Sequence, residues 1–139
     1  MIATSIPRAV PAADSRAPRW VLAAAAAVAA VAHVPVIGPH LEEAPYMGVL
    51  FVVLTAACAV LAAAALLRGG RAVYLLTVLT CGLAVVGYAA TRLVAFPMLA
   101  DDVGNWLEPL GVVSIVSESI AVVAALVALR RHPLRYADA

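Results

Sequence analysis

Four stretches of this chain come close to the twenty or so apolar residues that one helix needs to cross a hydrocarbon core. They run over residues 20–37, 46–67, 72–96 and 109–129, and only short connections join them. In lipid every backbone N–H and C=O must be satisfied without water, which a helix achieves within its own segment. The expected fold is therefore all-α, a bundle of four transmembrane helices running up, down, up and down. Of the 139 residues 65% are hydrophobic and 12% charged, so the lipid bilayer is the partner the whole chain is built for and no length remains for a soluble domain. Residues 1–19 and 130–139 have no apolar periodicity and read as cytoplasmic tails, the first of them disordered.

The joins carry turn chemistry: Gly38-Pro39 and Pro45, then Gly69-Gly70, then Pro97 and Gly104-Asn105. Orientation follows from charge. All nine basic residues are Arg; Arg8, Arg16, Arg19, Arg68, Arg71, Arg130, Arg131 and Arg135 cluster at the two ends of the chain and the middle join. The other two joins hold Glu42, Glu43, Asp101, Asp102 and Glu108 and no Arg. Positive charge stays inside, which predicts a cytoplasmic (inner) membrane protein with both termini inside and the acidic joins outside. An Arg-bearing start, an Ala-rich run and Ala30-Val31-Ala32 also have the form of a leader cleaved before His33, but the apolar run continues to Ile37. Glu43-Ala-Pro-Tyr-Met-Gly-Val and Glu108-Pro-Leu-Gly-Val make a faint internal echo, as parallel repeats would.

Ionisable groups inside a span are costly and mark function by default. His33, Arg92 and Glu118 qualify. With 1.5 Å of rise per residue, His33 and Arg92 fall about 6 Å below the acidic boundary and Glu118 about 14 Å below it. Arg92 can reach down to Glu118, or up to Glu108 or Asp102. Glu118 is then either a proton-titrating or cation-binding carboxylate, or half of a buried ion pair that sets helix register. Ser114, Ser117 and Gly111 extend the small, polar face of the fourth span. Thr77, Cys81, Ala84, Tyr88 and Thr91 share one face of the third, with Tyr88 a turn from Arg92.

His33, His40, Glu42 and Glu43 together resemble a His-and-carboxylate metal constellation, so a metal ion is a candidate cofactor. The alternative is that His33 bonds a carbonyl freed by Pro35 while His40 is interfacial. Haem with two His ligands is disfavoured, because only His33 lies within a span. Glu42 and Glu43 complement a helix N-terminus, and Asn105 with Glu108 has capping-box spacing. Trp20, Tyr46 and Trp106 sit where interfacial anchors form. Cys58 and Cys81 lie at similar depth on adjacent spans; no CxxC is present, and most such cysteines pack as small hydrophobes. No basic patch with interleaved aromatics supports nucleic acid as a partner, and no phosphate loop, nucleophile elbow or zincin helix occurs.

On His40-Leu-Glu-Glu-Ala-Pro-Tyr-Met-Gly-Val and Glu108-Pro-Leu-Gly-Val-Val-Ser, with Glu118 downstream, the chain resembles a group of small, functionally uncharacterised bacterial four-span integral membrane proteins. That resemblance implies the four-span fold and points to the acidic joins and to Arg92 and Glu118; it implies no activity. The expectation from the residues is a small, non-enzymatic membrane protein. It binds or conducts a small polar or ionic ligand, a proton or metal cation, at a cavity open to the extracytoplasmic side. His33, Arg92, Glu118, Tyr88, Ser114, Ser117 and Glu108 would line that cavity. Two other classes fit: an accessory or structural subunit of a larger membrane complex, or a membrane enzyme acting on a lipid or quinone with Glu118 as acid/base and His33 as its partner; besides the bilayer, a second copy of the chain or another membrane protein is a candidate partner.

Overall fold

The computed structural model describes residues 16–131, and four helices long and apolar enough to cross a membrane account for most of them. They are α1 (Arg16–Glu43), α2 (Pro45–Leu67), α3 (Arg71–Leu93) and α4 (Pro109–Arg131); a single 3-10 turn, Ala100–Asp102, sits in the α3–α4 loop. The chain is an all-α, multi-pass membrane protein. Each helix packs on its two neighbours in the order α1, α2, α3, α4 and back to α1, and the α2–α3 seam is the loosest of the four. Val53, Val60, Leu83, Val86 and Val123 point outward and exposed, as expected where lipid rather than water is the solvent. Residues 1–15 and 132–139, with Arg8 and Arg135 and most of both tails, lie outside the described residues.

Two helix boundaries differ from the sequence expectation in ways that matter. α1 begins at Arg16, inside the expected tail, and continues past Ile37 to Glu43, straight through Pro35 and Pro39. Its 28 residues span about 42 Å, longer than the core of a bilayer. Proline costs a hydrogen bond, but both prolines lie in the last three turns, where His40 Nδ1 contacts the Val36 carbonyl at 2.8 Å and so supplies a side-chain partner near the helix end. α3 stops at Leu93 rather than Phe96, where Val94 turns extended ahead of Pro97.

A single buried residue, Ala44, separates α1 from α2. Pro45 opens α2 with a preset φ and no N–H to orphan. The corner is so tight that a Cβ on Gly48 would lie 2.6 Å from Leu41 Cγ, so only glycine fits there.

The interior is layered. Leu22, Ala23, Ala65, Tyr74, Ala124, Ala125 and Ala128 form a dry layer at the arginine-rich end. Above it Ala25, Ala29, Ala30, Cys58, Cys81 and Ala121 form a second. So many alanines let the backbones approach closely, the usual device of helix packing in lipid. Of the buried polar side chains, Thr77 lies between these layers and donates to the Val73 carbonyl of its own helix at 2.8 Å, while His33, Arg92, Ser114, Ser117 and Glu118 lie beyond them, toward the acidic end.

Candidate functional site

His33 and Glu118 occupy positions where the alanine stripes of α1 and α4 are interrupted. His33 follows Ala26, Ala29 and Ala30 on the buried face of α1, and Glu118 sits between Ser114 and Ala121 on that of α4. Their side chains meet with Nε2 and Oε1 3.4 Å apart, at 4% and 2% exposure. That is ion-pair range but not a hydrogen bond. His33 Nδ1 and Glu118 Oε1 have no hydrogen-bond partner among the described residues. The continuity of α1 explains the meeting. Counted back from Glu43, His33 lies about 15 Å from the helix end, level with Glu118 about 14 Å into α4, rather than a turn or more above it.

Glu118 therefore pairs with His33 and not with Arg92. Arg92, one residue from the end of α3, turns the other way: its Nη1 donates to Asp102 Oδ1 at 2.7 Å and lies 3.4 Å from the Asp102 carbonyl. Its guanidinium sits 4.6 Å over the Tyr88 ring, within cation–π range. The Tyr88 hydroxyl donates to the Trp106 carbonyl at 2.9 Å, and the Gly104 N–H to the Arg92 carbonyl at 3.0 Å. At the start of α2, the Tyr46 hydroxyl donates to the Pro97 carbonyl at 2.7 Å. These bonds fold the α3–α4 loop down over the acidic end of the bundle.

Glu108 does not face ligand space either. Its carboxylate accepts from the N–H groups of Leu110, at 3.1 Å, and Gly111, making Glu108 itself the N-cap of α4. The reciprocal capping box with Asn105 does not form. Gly111 is required here: a Cβ would fall 2.5 Å from Tyr88 Cε2 and 2.8 Å from Glu108 Oε2. The internal echo thus keeps its proline and its tightly packed glycine in both copies, while the capping carboxylate works only in the second. Ala44, the N-cap of α2, has no side-chain cap, and Glu43 is exposed.

Ser114 and Ser117 are buried on the Glu118 face as expected, but the Ser117 hydroxyl bonds its own helix at the Ser114 carbonyl, 2.9 Å away. The metal constellation is not assembled. His33 points into the bundle, His40 bonds Val36, and Glu42 and Glu43 are exposed. Among the described residues no group of three or more His, Cys, Asp and Glu is placed to hold a metal ion. Nor does His33 bond a carbonyl freed by Pro35. The histidines share Phe51 instead, whose ring centroid lies 5.5 Å from that of His33 and 4.8 Å from that of His40. Their spacing of two helical turns was the signal for this, once α1 is continuous.

Cys58 and Cys81 are free thiols, fully buried, and packed in the same layer of the interior. Each of the four helices thus contributes at least one protic side chain to the buried interior. The site is closed: His33 and Glu118 are nearly inaccessible, and the grooves on the lipid-facing side of α1 and α4 are lined by residues such as Val28, Val31, Pro35 and Val113 rather than by the pair. No family model, curated protein or solved structure matches the chain.

Proposed function

We propose that this protein binds a small polar or ionic species, a proton in the simplest case, at the His33–Glu118 pair and exchanges it with the acidic side of the membrane. One observation carries the reading: an imidazole and a carboxyl group, buried side by side within the span, each keep a polar atom without a partner. A purely structural pair would have its remaining lone pairs and protons satisfied, because orphaned polar atoms in a dry interior are costly. The layering supports access from one side. Two alanine-rich layers separate the pair from the arginine end, whereas Ser114, Tyr88 and the Arg92–Asp102 bridge lie toward the acidic end. On this reading that bridge and the loop above it are the closure that must move, and Arg92 is its latch rather than a ligand.

The arginine distribution favours a cytoplasmic-membrane orientation with both termini inside, so that exchange occurs with the outside. Membership of the small bacterial four-span proteins that the sequence resembles would be consistent with this role.

Thermal unfolding of the purified chain in detergent, across pH and with candidate monovalent and divalent cations, tests the reading. The parent melting temperature should respond to pH or to one of the ions. Glu118→Gln should keep the fold, being nearly isosteric, and lose the response. A Glu118→Gln protein with the parent's full pH and ion dependence would eliminate the pair as the site.

A further inference from the structure

We infer that His40 is the entry residue for the exchanged proton and that the Phe51 ring is the gate between it and His33, so that exchange runs down the α1–α2 corner of the bundle. The route presupposes the binding reading above, with His33 and Glu118 as its end point. The three residues form a descending series. Counted from the acidic ends of their helices, His40 lies about 4.5 Å in, Phe51 about 9 Å and His33 about 15 Å, level with Glu118. The Phe51 ring packs on both imidazoles, its centroid 4.8 Å from that of His40 and 5.5 Å from that of His33. Exposure falls along the series: His40 and Phe51 are half-buried, whereas His33 is 3% exposed. A histidine packed on one aromatic ring is ordinary core architecture. What sets this cluster apart is that one ring stands between two histidines, and that the lower imidazole keeps an unpartnered Nδ1.

The hydrogen bonds fix which atoms take part. A carbonyl oxygen only accepts, so His40 Nδ1, 2.8 Å from the Val36 carbonyl, carries a hydrogen, and Nε2 is the atom that gains and loses the proton. With Phe51 in place, an apolar group that carries no proton separates the imidazoles. When it rotates on its side-chain bonds, water entering its place links them. His40 gives its Nε2 proton to that water, which passes one of its own to His33 Nδ1 and is left unchanged. His33, now an imidazolium, gives its Nε2 proton to Glu118, whose Oε1 lies 3.4 Å away, and is left neutral with hydrogen on Nδ1. Release runs through the same steps in reverse. The other titratable groups of this end are engaged or face away: Arg92 is held by Asp102, Glu108 caps α4, and Glu42, Glu43 and Asp101 are exposed. Tyr46 and Tyr88 donate to loop carbonyls, and Cys58 and Cys81 lie in the layer below. The Tyr46 bond ties the α3–α4 loop to α2 about a turn and a half above Phe51, so opening of the loop and rotation of the ring are successive steps.

The experiment follows the Glu118 carboxyl band by time-resolved infrared spectroscopy after a pH step, using the full chain in lipid nanodiscs; the band is assigned by its absence in Glu118→Gln. Phe51→Ala should speed the response by an order of magnitude. Phe51→Leu, which keeps most of the side-chain volume, should speed it less, and carries the test if Phe51→Ala does not fold. His40→Gln, whose amide can still bond the Val36 carbonyl, should slow the response several-fold. Adding Phe51→Ala to His40→Gln should restore a fast response, because water then reaches His33 directly. A parent band that fails to follow the pH step while that of Phe51→Ala follows it also supports the gate. Equal rates in the parent, the Phe51 variants and His40→Gln, with only the melting temperature changed, overturn the route and leave the binding reading standing. A Glu118 band that follows pH in none of these proteins overturns the binding reading and the route together.

Discussion

An imidazole and a carboxyl group in contact inside the bundle depend on each other, because either one alone is an uncompensated buried polar group. His33→Ala should therefore destabilise the protein by about 3–5 kcal/mol, and His33→Leu combined with Glu118→Leu should recover much of that loss. Denaturant unfolding in detergent of His33→Leu, Glu118→Leu and their double gives the coupling directly. Additive losses would mean that the 3.4 Å contact carries no interaction. The binding proposal adds a contrasting expectation for the same residues: the stabilised double variant should show none of the parent's pH or ion response. Arg92 belongs to a different unit. Its partner Asp102 is 24% exposed, so the bridge is partly screened and its importance lies in holding the loop rather than in buried-charge energetics.

At the scale of elements, the ends of the helices decide where the side chains fall. α4 starts where it does because Glu108 caps its first N–H groups and Pro109 fixes its first φ. Removing that carboxylate with Glu108→Ala should cost about 0.5–2 kcal/mol, measurable as a lowered unfolding midpoint. Asn105→Ala should leave the midpoint unchanged, since Asn105 makes no reciprocal cap; equal losses from the two would restore the capping box. α1 shows the opposite behaviour, running past Gly38-Pro39, which read as a stop. The chain turns at Ala44 instead, where Gly48 lets α2 pass against Leu41. Those six extra residues beyond Ile37 bring His33 level with Glu118 and place His40 beside Phe51.

For the whole molecule the question is which end faces which side. Six of the described arginines lie at the end formed by the α2–α3 turn, the start of α1 and the end of α4; the acidic loops lie at the other. With both native cysteines buried, a membrane-impermeant thiol reagent should label Ala100→Cys in intact cells and label Arg68→Cys only after permeabilisation. The reverse pattern would invert the protein and direct the exchange proposed above to the cytoplasm.

The four-helix architecture was legible without coordinates, because its cause is a run-length argument: apolar stretches of span length can only be helices in lipid. The rarity of ionisable groups within the spans likewise singled out His33, Arg92 and Glu118, since each had to face inward or find a partner. Which of them met was not legible. Pairing depends on axial register between helices, and register turned on whether α1 ends at Ile37 or persists to Glu43. Proline lowers the odds of persistence but does not forbid it. That Cys58 and Cys81 share one buried layer has the same origin: similar depth is a property of each helix by itself, whereas a shared layer also needs the rotation of both, which only their packing sets. The choice of Arg92 for Asp102 was decided by the loop folding back onto the helix end, an interaction between residues ten apart with no periodic signature. Sequence alone determined what must be buried and in what kind of element; tertiary structure alone decided the partners, because a helix constrains each residue's height and bearing but not the relative slide and rotation of its neighbours.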